Sequence, residues 1–215
     1  MISLSDRLER CYTAAIHDVM RVHGLTDFVL TYDIRALFPD SKIGGPAFTF
    51  RGRTDPAITP HDTYLAWTKL LGDMPEGSIG VCQPNDLTLA HMGELSAETL
   101  KRRGIKGYVV DGGCRDVAFI RRIGFPVWCR YATPADIVGY WIPEGFGEPI
   151  EIGKVGIGTG DFILADDDGV VVVEKDHAPE IIAEAEDMMS RENLVREAIL
   201  GGMNPQQAYL TYRKF

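Results

Sequence analysis

The 215-residue chain has few cysteines, a deficit of positive charge and no long apolar run. Its four cysteines, at positions 11, 82, 114 and 129, form no CxxC pair. Neither a disulfide framework nor a structural zinc site is expected from that spacing. Lys and Arg number 22 against 31 Asp and Glu, a net charge of −9. Phosphate contact needs clustered cations, so nucleic acid is not an expected partner. The one tight basic run, Lys101-Arg102-Arg103, reads as the last turn of a helix, where cations suit the dipole. No stretch approaches the roughly 20 apolar residues that span a bilayer. Residues 1–7 lack the apolar segment of a signal peptide. The expectation is a cytoplasmic protein with no membrane partner. P-loop, HExxH and GxSxG motifs are absent. The glycine run Gly156-Ile157-Gly158-Thr159-Gly160-Asp161 precedes a strand instead of opening a helix, so it reads as a turn and not as a dinucleotide site.

Hydrophobic residues make up 45% and charged residues 25%, ordinary values for a globular domain. One domain over residues 1–215 is expected, of α/β class. An opening helix over 5–23 puts Leu8, Tyr12, Ala15, Ile16 and Val19 on one face. Residues 31–60 suggest short strands and turns around Gly44-Gly45-Pro46. Strands at 78–82, 108–111 and 126–130 alternate with helices over 94–103 and 116–124, the rhythm of a parallel sheet. Gly104 closes the first of these helices. A hairpin pairs 162–165 with 170–173 through Asp166-Asp167-Asp168-Gly169. A last helix spans about 177–200, with Asp176 placed to cap it, Pro179 in its first turn and Gly201-Gly202 ending it.

Three places could carry chemistry. Gly112-Gly113-Cys114-Arg115-Asp116 lies where a strand ends and a helix begins, the edge at which open α/β sheets hold ligands. Arg115 offers a fork suited to a carboxylate, and Asp116 a hard oxygen for Mg²⁺ or Mn²⁺. The alternative is that Asp116 caps its own helix and Arg115 pairs with it. The second place is His91-Met92-Gly93-Glu94, where the free N–H groups of Glu94, Leu95 and Ser96 could hold an anion. His91 and Glu94, three apart, could share a metal, or His91 is an ordinary loop histidine. The third is Glu192, on the apolar stripe of the last helix (Ile181, Ala185, Met188, Val195, Ile199). A carboxylate there needs a partner. Arg196 is the local choice, and a site on a neighbouring subunit the functional one.

Taken together these motifs resemble the RraA-like family over roughly residues 14–200. That family includes metal-dependent 4-hydroxy-4-methyl-2-oxoglutarate / 4-carboxy-4-hydroxy-2-oxoadipate aldolases and non-catalytic regulators of ribonuclease E. The most specific element is an acid, twenty residues, then Arg-Asp, here Glu94 and Arg115-Asp116. Around it stand Arg103-Gly104-Ile105-Lys106-Gly107, Val110-Asp111-Gly112-Gly113 and Gly124-Phe125-Pro126-Val127. The resemblance implies a layered α/β/α domain with a C-terminal helix, assembled as a homotrimer or homohexamer. It implies Asp116 as the direct ligand of Mg²⁺ or Mn²⁺, and Arg115 as the group that contacts the 2-oxo acid and steadies its enolate. Glu94 would hold metal-bound water, and the amides after Gly93 would bind the substrate carboxylate. Glu192 would act from an adjacent subunit. The implied activity is a pyruvate aldolase acting on a 4-hydroxy-2-oxo di- or tricarboxylic acid, with oxaloacetate decarboxylation as a side activity. The alternative is the ribonuclease E regulator. One departure stands out: Phe119 occupies the place where the catalytic branch usually carries an acid. This leaves weaker metal binding, a different metal or a different substrate open. Arg51, Arg53, Arg121 and Arg130 are the candidates to hold a second substrate carboxylate.

Overall fold

A computed structural model describes residues 2–215. Its period-2 strands and amphipathic helices follow one another as α1 (Leu4–Arg10), α2 (Thr13–Val22), β1 (Arg35–Ala36), β2 (Ile43–Thr54) and α3 (Pro60–Asp73). Next come β3 (Ile79–Gln83), α4 (Glu94–Arg102), β4 (Gly107–Val110), β5 (Gly113–Cys114), α5 (Val117–Ile123) and β6 (Val127–Cys129). The chain continues through β7 (Tyr131–Ala132), β8 (Trp141–Glu144), β9 (Ile150–Ile152), β10 (Val155–Ile157), β11 (Phe162–Asp166) and β12 (Gly169–Val173). It ends in α6 (Ala178–Leu200) and α7 (Pro205–Tyr212).

Eight strands form the main sheet in the order β1-β6-β4-β3-β2-β11-β12, with β8 also on β2. β2, β3, β4 and β6 are parallel, and β11 and β12 run antiparallel. The sheet is nearly closed. Val29 bridges to Val171 of β12, and a few residues later Arg35 and Ala36 pair with β6. Alternation along each strand sorts side chains to two faces. Ile79, Val81, Val109, Ile163, Ala165, Val170 and Val172 point inward. On the outer face Cys82, Tyr108 and Val110 meet Leu70, Leu71, Ala97, Leu100 and Ile120 of α3, α4 and α5. Leu164, Val171 and Val173 meet Leu8, Ile16, Ile181 and Ile182 of α1, α2 and α6. The helices of this α/β domain thus pack on the outer face of the sheet, while Ile150, Ile152, Val155 and Ile157 of β9 and β10 fill its inner face. All four cysteines are free and buried. No described helix is long and apolar enough to cross a membrane.

Several expectations from the sequence change here. The opening helix is two helices. Cys11 and Tyr12 are extended, and the Asp166 carboxylate restarts the chain as a helix by accepting from Thr13 N (2.8 Å) and Oγ1 (2.7 Å). Gly44-Gly45-Pro46 is no turn but the start of the twelve-residue β2. Its glycine is a close-approach device, since a Cβ on Gly44 would lie 2.8 Å from the backbone nitrogen of Glu9. Asp176 does not cap α6: His177 holds that position and makes no side-chain cap bond. Two helices were not anticipated, α3 and α7. The signal for α3 is present in Thr59-Pro60-His61-Asp62, a reciprocal cap with proline at the first turn.

Candidate active site

The site forms where β3 and β4 end. The loop after β3 runs to Gly93, which precedes α4 and carries no side-chain cap. The loop after β4 runs alongside it: His91 N donates to Gly113 O (2.8 Å) and Arg115 N to Met92 O (2.9 Å). This pairing lays Arg115-Asp116 over Gly93. A Cβ on Gly93 would lie 2.9 Å from Asp116 Oδ2 and 3.1 Å from Arg115 Nε, so only glycine fits without displacement.

Asp116 itself is left-handed (φ +57°, ψ +34°), a conformation Asp tolerates better than most residues. Its carboxylate makes no cap bond to its own helix. Instead Oδ2 accepts from Glu94 N at 3.0 Å and so caps α4. Of the alternative read from the sequence, the cap on α5 does not form, since the carboxylate serves the neighbouring helix, while the pairing with Arg115 does. Arg115 Nε stands 3.5 Å from the same oxygen, while its Nη1 donates to Asp136 Oδ2 at 3.0 Å. Asp136 was not singled out from sequence. It is fixed by its own turn, where Val138 N donates to Oδ1 (3.2 Å).

These groups open onto a cavity of about 390 Å³ that holds Gly93, Glu94, Leu95, Ser96, Arg115, Asp116 and Asp136 in its wall. The structure therefore brings the expected residues together, Glu192 excepted. Helix α3 also lines the cavity, contributing Thr63, Tyr64, Trp67 and Thr68. Trp67 Nε1 donates to Ser96 Oγ at 2.8 Å, tying α3 to the first turn of α4.

Glu192 lies elsewhere. Its carboxylate accepts from the Tyr12 hydroxyl and stands 3.0 Å from Lys214 Nζ, joining α2 and α6 to the C-terminal residues. The expected Arg196 partner bonds Asn193 instead. Burial, then the Glu192 contact, pushes the Tyr12 hydroxyl up to about 12. Phe119 is exposed and does not line the cavity; the Arg122 guanidinium stacks 3.9 Å from its ring centre.

His91 is fully buried, and neither ring nitrogen has a hydrogen-bond partner. Its ring packs edge-on to Trp141 (5.0 Å between centroids), with Asp86 Oδ2 3.4 Å from Nε2. Burial outweighs Asp86 and pushes the imidazole down to about 4, so it is neutral near pH 7. Among the described residues no three His, Cys, Asp or Glu side chains converge as a metal cage, the His91–Glu94 pair included. The donor set at Asp116 is compatible with a hard divalent ion, which commonly takes one or two carboxylates and fills its other positions with water and substrate. Asp116 Oδ1 makes no hydrogen bond among the described residues.

Comparison with known proteins agrees with this architecture. The chain is 29% identical over 198 residues to a Halalkalibacterium halodurans protein named "Putative 4-hydroxy-4-methyl-2-oxoglutarate aldolase", covering 92% of this chain and 89% of that one. It is 30% identical over 215 residues to Protein DlpA of Legionella pneumophila, covering 99% of this chain but only 34% of DlpA, so it spans about a third of that relative's length. The crystal structure of Streptomyces coelicolor RraAS2, described as an unusual member of the RNase ES inhibitor RraA protein family, superposes with a TM-score of 0.79 at 29% identity, covering 90% of this chain and 95% of that one. The RraA-like family profile, described as Aldolase/RraA, matches residues 13–172, and the chain belongs to that family.

Proposed function

We propose that the chain is a divalent-metal-dependent carbon–carbon lyase that cleaves a 4-hydroxy-2-oxo acid to pyruvate and a second oxo compound, with oxaloacetate decarboxylation as a side activity. The observation that carries this reading is the convergence of Arg115, Asp116 and the first turn of α4 on one cavity. Asp116 is the residue that would hold Mg²⁺ or Mn²⁺, and the ion would supply Lewis-acid polarisation of the 2-oxo group. The N–H groups of Leu95 and Ser96, at the positive end of α4, receive the substrate carboxylate. Glu94 positions the water that takes the 4-hydroxyl proton. As the C3–C4 bond breaks, its electron pair forms the pyruvate enolate. The Arg115 guanidinium, held in place by Asp136, neutralises that charge. Protonation at C3 completes pyruvate. The homotrimer or homohexamer implied by the resemblance belongs to this proposal: Glu192 does not line the cavity of its own chain and would serve the site of a neighbouring copy only on leaving Tyr12 and Lys214.

The test is pyruvate release from oxaloacetate and from a 4-hydroxy-2-oxo acid with Mg²⁺ or Mn²⁺, then with excess EDTA. Release that EDTA abolishes supports the reading, and full activity in Asp116→Ala refutes it. RraAS2 favours a second reading, a ribonuclease-binding regulator without chemistry. Capture of ribonuclease E with no turnover of either substrate would select it.

A further inference from the structure

Charge in the cavity wall is almost all negative. Among the described residues that line it, Arg115 is the one cation, and Asp136 already engages it at 3.0 Å. Three carboxylates, Glu94, Asp116 and Asp136, share the same wall. The rest of the wall is uncharged, with Trp67, Leu71, Leu95, Ile137 and Val138 beside the hydroxyls of Tyr64 and Thr68. The other arginines that could meet a second substrate carboxylate are engaged elsewhere. Arg51 pairs with Glu148 (2.7 Å), Arg53 with Glu144 (3.2 Å) and Arg130 with Asp33 (3.0 Å). Arg121 lies in the last turn of α5 and does not line the cavity.

A carboxylate moved from water to such a wall loses hydration and gains no cation, while an apolar group gains by leaving water. Resting on the aldolase reading of this site, we infer that the substrate is a 4-hydroxy-2-oxo monocarboxylic acid whose C4 substituent is neutral, an alkyl or aryl group packed against Tyr64, Trp67 and Leu95. The di- or tricarboxylic acid implied by the sequence resemblance finds no free cation for its distal charge in this chain's cavity. The reaction balances without a co-reactant. The C4 hydroxyl proton leaves to the base, C4 becomes an aldehyde or ketone, and the C3–C4 pair becomes the enolate that takes a proton at C3.

The experiment compares pyruvate release by the 215-residue chain, with Mg²⁺ or Mn²⁺, from 4-hydroxy-2-oxo-4-phenylbutanoate, 4-hydroxy-4-methyl-2-oxoglutarate and oxaloacetate. The phenyl substrate is expected to exceed the methylglutarate in kcat/KM by at least about tenfold. Thr68→Arg, which adds a cation on an exposed turn of that wall, is expected to lower this ratio by about tenfold. A wild-type preference for the methylglutarate overturns the neutral tail and assigns its distal carboxylate to a cation from a neighbouring copy, leaving the aldolase reading intact. Decarboxylation of oxaloacetate with cleavage of neither hydroxy acid overturns the neutral tail alone. Pyruvate from none of the three overturns both.

Discussion

Two joints in this molecule use the same device to different ends. At each, a helix begins without a side-chain cap of its own, and a carboxylate from a distant segment supplies one. Asp166 does so for α2. Its two oxygens accept from Thr13 N and Oγ1, and Oδ1 also accepts from Asp168 N at 3.0 Å. Asp116 does so for α4, but only through Oδ2, and from a left-handed backbone. A carboxylate whose oxygens are both committed holds elements together. One that is half committed, strained and open to a cavity has coordination to offer. His91 extends the series to a polar group with no hydrogen bond at all.

Substitution separates these cases, beginning with the largest effect. Asp116→Ala should cut metal-dependent pyruvate release by more than about a hundredfold, the upper range for removing even an outer partner of a metal. Its melting temperature should stay within a few degrees, because one cap bond is lost. Equal losses of activity and folding would erase the distinction between the joints. His91→Leu tests the unpaired extreme. The folded imidazole sits near 4, below its ordinary 6.5. Wild-type stability is therefore fully present above about pH 6.5. It declines by about 1.4 kcal/mol per pH unit as pH falls toward 4, where the unfolded chain binds the extra proton. The variant should lose this slope in denaturant titrations at pH 7, 6 and 5. Asp166→Ala should destabilise by about 2 kcal/mol, roughly 4–8 °C in melting temperature, with turnover per folded molecule retained. Asp176→Ala, at a position that caps nothing, should change stability by less than about 0.5 kcal/mol.

The parallel half was the readable half. Its strands and helices are separated by Gly104 and Gly124, both at positive φ, and these stops show in the sequence. Arg115, Asp116 and the Gly93 turn were legible because strand ends in such sheets gather ligand groups. What stayed hidden depends on partners far along the chain. Asp166 splits the first helix from 153 residues away. The backbone of Glu9 turns Gly44 from a turn signal into a strand residue. Asp136 and the α3 wall join the site through loop closure, and no local spacing places them beside Arg115. The polar position of Glu192 on an apolar stripe did signal an unusual partner, but Tyr12 and Lys214 are contributed by other elements.

The long strand β2 also sets a schedule for synthesis. Its first residues pair with β11, so Ile43–Pro46 must wait until Phe162–Ala165 have been made. At ordinary elongation rates that delay is roughly 6 to 24 seconds. During it an unpaired strand edge is open to other chains, the usual invitation to aggregate. The waiting segment is Gly44-Gly45-Pro46, two weak strand formers and one residue with no N–H to donate. The same Gly44 that admits helix α1 in the finished fold helps make the nascent edge a poor template for a stranger.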